Sequence, residues 1–177
     1  MLLPKLDLKM DLSRLKWIKV ITPGKDYQHH WAYCPEGITD MVRDYGSKII
    51  DSKNGLTIFP LGFKREERQE DLKSGDLIAL TQYAKITHVV EILDSNPYEE
   101  GLWFHRYAKI VWWKREIDWN SDSLPHRSDI LGFDISIFDG NPHLFTNFKS
   151  FQEKWGKDGD ISLKAFQQYL AKQLQQI

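Results

Sequence analysis

The chain has 177 residues, 24 Lys and Arg against 25 Asp and Glu, a single cysteine, and seven Trp with seven Tyr. The length suits one domain with a full core. The charge balance excludes a global basic field, so contact with nucleic acid needs a local patch. One cysteine, Cys34, excludes an internal disulfide and points to a reducing intracellular compartment, cytoplasmic or nuclear.

In chain order, residues 1–15 read as an N-terminal arm, with Leu6, Leu8, Met10 and Leu12 at period two. They lack the apolar core of a signal peptide, and nowhere does an apolar run approach the ~20 residues of a membrane span. Residues 16–177 read as one domain. Lys16 to Ile21 is an expected strand, ended by Thr22-Pro23-Gly24. The next loop carries His29, His30, Trp31, Ala32, Tyr33 and Cys34. Ile38, Met41, Val42 and Tyr45 have helical spacing. Short strands are expected at Lys48–Ile50 and Leu56–Phe59, and a charged solvated segment at Lys64–Lys73.

Three runs then follow: Asp76–Leu80, Ile86–Leu93 and Ala108–Trp112. Each is rich in β-branched or aromatic residues and bounded by turn residues, which predicts strands of one curved sheet. Near-continuous apolar character in the first and third predicts cover on both faces. The stretch from Asp94 to Arg106 is expected as a loop presenting Trp103-Phe104-His105. A further strand is expected at Phe133–Phe138, and a turn at Asp139-Gly140-Asn141-Pro142. Phe145, Phe148, Phe151 and Trp155 should face the core. A last helix, Ser162–Ile177, should bury Leu163, Phe166, Leu170, Leu174 and Ile177, with Asp160 or Ser162 as its N-cap.

Motifs for chemistry are sparse. Asp158-Gly159-Asp160-Ile161-Ser162 superficially resembles a calcium loop, but Ala165 stands where the bidentate Glu is required. The histidines show no metal-ligand spacing, and neither a phosphate loop nor a nuclease carboxylate set is present, so no metal or cofactor is expected. Cys34, His88 and Asp118 are the residues an enzyme acting on a nucleotide or small molecule would draw on. The surplus of Trp would serve a protein-interaction face in another reading. Trp31 and Trp103 both stand outside the regular core pattern, and two such faces can sandwich a flat heterocycle or a methylated nitrogen.

The order of elements resembles the PUA-like superfamily, and within it the YTH and EVE branch of modified-base readers. The resemblance rests on Trp17-Ile18-Lys19-Val20-Ile21 leading to Trp31 ahead of a helix. It continues in Asp76–Leu80 leading to Thr87-His88-Val89-Val90-Glu91-Ile92, and then in Trp103 before Tyr107-Ala108-Lys109-Ile110-Val111-Trp112. Two stretches depart from the family pattern: residues 46–74 are longer, and the loop before Trp31 is shorter and holds His29-His30. The resemblance implies an α+β fold, a PUA-like curled β-barrel flanked by short helices with a C-terminal helix. It implies a nucleic-acid-binding module without catalysis, reading a modified, methylated base of DNA or RNA, with Trp31 and Trp103 as cage walls and Ala32 and Tyr33 beside them. Such domains also occur in restriction and defence systems, which implies a nuclease or NTPase partner protein. For the phosphate backbone the cations expected to contribute are Lys19, Lys25, Lys48, His126 and Arg127.

Overall fold

The computed structural model describes residues 10–22, 58–64, 71–100, 102–113 and 124–177. Seven strands form one sheet: β1 Leu15–Val20, β2 Ile58–Phe63, β3 Leu77–Gln82, β4 Lys85–Ile92, β5 Tyr98–Glu100, β6 Trp103–Trp113 and β7 His143–Leu144. Three α-helices, α1 Arg127–Leu131, α2 Lys149–Trp155 and the C-terminal α3 Gly159–Gln175, complete a mixed α+β architecture among the described residues. None of these helices is long and apolar enough to cross a membrane.

The three runs singled out in the sequence are β3, β4 and β6, hydrogen-bonded side by side. The strand order is β2-β6-β4-β3-β1-β7, with β5 paired to β6. β1 runs parallel to β3 and every other pairing is antiparallel. Every residue of β3 is buried, because both sheet faces are covered. On one face Leu15, Ile18, Leu77, Ala79 and Val89 pack against Phe145, Phe151, Phe166, Leu170 and Leu174 of the helical layer. On the other, Trp17, Ile21, Ile78 and Leu80 share a cluster with Phe59, Leu61 and Phe63 of β2.

That second cluster defines the shape. β1 and β2 stand four places apart in the strand order, yet their side chains meet. The Lys19 ammonium lies 5.3 Å from the centre of the Phe63 ring. The sheet therefore curls, but among the described residues it is open: β2 and β7, its two ends, do not pair. Closure by a continuous ladder, expected of a barrel, is corrected to a curled open sheet. Pro60 lies within β2, where it lacks an N–H to donate, as suits an edge strand.

Several local expectations change. The arm joins the body early, since Leu12 and Leu15 are already core. Phe133–Phe138 is not a strand: Phe133, Ile135 and Ile137 alternate inward, but the segment has no ladder partner. Alternation reports a half-buried extended chain, and pairing is a separate matter. The N-cap of α3 is Asp158, whose carboxylate accepts from the Ile161 N–H at 3.4 Å, and Ser162 is buried inside the helix. The apolar stripe of α3 holds, with Phe166, Leu170 and Leu174 buried and Leu163 and Ile177 partly so. Phe166 meets Phe145, Phe151 and Trp155 at ring-centre distances of 4.7, 5.4 and 5.8 Å.

The candidate base-binding face

β6 begins at Trp103, so the aromatic cluster expected in a loop lies in a strand. Asp94–Pro97 stays irregular, and Leu102 is in a turn between β5 and β6. β5 turns back at once, with Tyr98 opposite His105 and Glu100 opposite Trp103. Aromatic side chains favour a pleated, half-buried surface, and here two partner strands supply it. Side chains alternate along a strand, so Trp103, His105, Tyr107 and Lys109 share one face of β6 while Arg106, Ala108 and Ile110 point into the protein.

That face is a row of rings. Trp103 is 44% exposed. Tyr98 stacks on His105 with centroids 5.4 Å apart and planes at 26°, and lies 5.3 Å from Tyr107. Gly62 of β2 is opposite His105, and Pro60 is opposite Tyr107. A Cβ at position 62 would lie 3.7 Å from His105 Nε2, so glycine places no side chain of its own against that ring. Lys109 closes the row and sits 3.7 Å from Glu91, which also binds Arg14 at 3.0 Å. The guanidinium hydrogen bond, joined by the charges of Arg14 and Lys109, lowers the Glu91 pKa against its partial burial.

The row is anchored from beneath by Arg106, which is fully buried. Its Nε donates to Asp94 Oδ1 at 2.8 Å, one terminal nitrogen donates to the Leu72 carbonyl at 3.1 Å, and the other to the Asp94 carbonyl at 2.5 Å. Asp94 Oδ2 accepts the Tyr107 N–H at 3.0 Å. A buried cation with several fixed acceptors holds the irregular Asp94–Pro97 segment against the strand that carries the rings.

The expected site residues divide three ways. Trp103 is exposed on this face. Trp31, Ala32, Tyr33, Lys25 and Lys48 lie outside the described residues, as do Cys34 and Asp118. The remaining cations do not form one surface patch. Lys19 is buried, and its ammonium donates to the carbonyls of Val20 and Gly140. Burial, partly offset by Asp139, pulls its pKa down to about 8. Arg127 is buried too, donating to Thr81 Oγ1 at 3.3 Å and the Ile135 carbonyl at 3.0 Å, and burial lowers its pKa. Both were expected to reach phosphate, and both instead satisfy groups inside the fold. His126 is exposed, but its Nδ1 accepts the Ser128 N–H as the N-cap of α1. Lys109 is the cation that shares a strand face with the rings.

His88, one of the three residues named for an enzymatic reading, is fully buried, with Nδ1 2.8 Å from Thr87 Oγ1 and its ring 5.5 Å from that of Trp113. Sequence reasoning picked out His105 with Trp103 but missed Tyr98, Tyr107 and Gly62. The signal was present in the Trp-x-His-x-Tyr alternation from Trp103 to Tyr107. Against family models, curated proteins and solved structures, the chain has no match.

Proposed function

We propose that this protein is a nucleic-acid-binding module that holds a modified base by stacking on the aromatic face begun by Trp103. The carrying observation is the exposed Trp103 ring at the end of a row with His105 and Tyr107, on a strand whose neighbour at position 62 has no side chain. Bases stack on such rings for roughly 1–3 kcal/mol each. In this reading the curled sheet is the described part of a PUA-like domain, and Trp31 with Ala32 and Tyr33 supplies the opposing wall. No reacting group is required. A nuclease or NTPase partner protein would act on what the module finds.

The test is a titration of modified and unmodified DNA and RNA oligonucleotides against the wild type, Trp103→Ala and Trp31→Ala. Each variant should weaken binding to the modified strand about 10-fold or more, the equivalent of one stacking face. The unmodified strand should respond less, because its binding rests on phosphate contacts and fades with salt. Folded Trp variants that still discriminate modified from unmodified strands exclude the reading.

A further inference from the structure

A second feature lies near the ends of β1 and β2. Lys64, Phe138, Asp139 and Asn141 line an open cleft of about 170 Å³. Its parts are unusual for an ordinary surface. Phe138 is 89% exposed, although Phe133, Ile135 and Ile137 just before it turn inward. An exposed large aromatic beside fixed polar groups is more informative than a scattered apolar residue. Asn141 is 4% exposed, and its Oδ1 makes no hydrogen bond.

Asp139 is held in place by its own turn. Its Oδ1 accepts from His143 Nε2 at 2.8 Å and from the Asn141 backbone N–H at 3.1 Å. Partial burial alone would raise the carboxyl pKa. The hydrogen bonds from His143 and Asn141 outweigh it and keep the group well below the usual carboxylate range. The bonds from His143 and the Asn141 backbone both end on Oδ1, and a carboxylate has about four acceptor positions, so the group retains capacity for a further donor. Gly140, at φ +68°, makes the turn, and its carbonyl accepts from the buried Lys19 ammonium. Among the described residues, Lys19 behind the turn and Lys64 in the cleft lining are two cations beside one anion. That balance disfavours a cationic ligand and favours an anionic one that also carries a neutral donor.

We propose that this cleft is a nucleotide subsite selective for a base with an exocyclic amino group. The amino N–H donates to Asp139, Phe138 offers a face for the ring, and Lys64 meets the phosphate. A carboxylate accepting from a base amino group is a direct readout of that base, since a carbonyl in the same place would face the carboxylate with no proton to share. The choice of a nucleotide among donor-bearing anions rests on the nucleic-acid reading above.

The experiment is calorimetric titration of the full chain with CMP and with UMP, which differ at this edge. Wild type should bind CMP about 10-fold or more tightly than UMP, the discrimination of one charge-assisted hydrogen bond. Asp139→Asn should bring the two affinities close together, and Phe138→Ala should weaken both. Both residues are exposed, so circular dichroism should show the fold unchanged. Short oligo-dC and oligo-dT strands form a second arm: a preference for dC assigns the subsite to nucleic acid, and its restriction to CMP assigns it to free nucleotides. Equal binding of CMP and UMP, no binding of either, or a preference unchanged in Asp139→Asn overturns the proposal. Trp103→Ala should leave the CMP/UMP ratio intact, so failure of the stacking face and failure of this subsite are separate results.

Discussion

A Cβ placed on Gly62 would stand 3.8 Å from Cε3 of Trp103, an ordinary contact across the β2–β6 pair. A side chain at this position has room, and it would stand against the rings of Trp103 and His105. Gly62→Val should keep the fold, since β-branched residues suit strands. It should weaken oligonucleotide binding about 10-fold, the scale of one lost stacking contact. Unchanged affinity in a folded Gly62→Val protein, measured by fluorescence anisotropy, would show that ligands do not use this face.

Asp94 accepts two hydrogen bonds from the buried Arg106 guanidinium. Asp94→Ala removes the carboxylate that faces that charge. It should destabilise the protein by about 3 kcal/mol, as breaking a buried pair does. Urea denaturation reads this directly. The Asp94–Pro97 segment should also loosen, seen as faster amide exchange at Tyr107, whose N–H now binds Asp94 Oδ2.

Lys19 makes stability depend on alkaline pH with a definite sign. Burial holds its native pKa at about 8, below its ordinary 10.5. Between those values the unfolded chain binds more protons than the native one, so this residue's contribution to stability rises with pH. Below pH 8 both states are protonated and the cost of burying the charge is fully present. Lys19→Met removes the titration. The stability of wild type relative to Lys19→Met should therefore grow as pH passes from about 8 to about 10. A flat difference across that window would contradict the burial.

Tyr83 and Ala84, at φ 49° and 59°, form the turn between β3 and β4 in the left-handed region. Neither is glycine, and such backbone costs roughly 1–2 kcal/mol per residue. Ala84→Gly should stabilise the protein by about 0.5–1 kcal/mol, the relief less the added freedom of the unfolded chain. Thermal unfolding would register a rise in Tm, and a fall would show that the Ala84 side chain offsets the strain.

The sequence by itself determined the strand-forming runs and the last helix, because both are written in local pattern. β3, β4 and β6 are bounded by turn residues, and Phe166, Leu170 and Leu174 recur at the helical period. Local pattern also indicated cover on both sheet faces. It did not determine that β2 and β1 would meet across a curled sheet, since that follows from strand order and twist over distant residues. Nor could it assign the cations. Lys19 and Arg127 look like surface charges in the sequence, yet carbonyls of Gly140 and Ile135, contributed by later segments, draw both inside. Trp103 was legible as a ring outside the core, but its setting was not. β5 and β2 convert an expected loop into a strand, and strand alternation then places Trp103, His105 and Tyr107 on one face. That decision belongs to the tertiary structure, because a residue's face is fixed only when its neighbours fix the register.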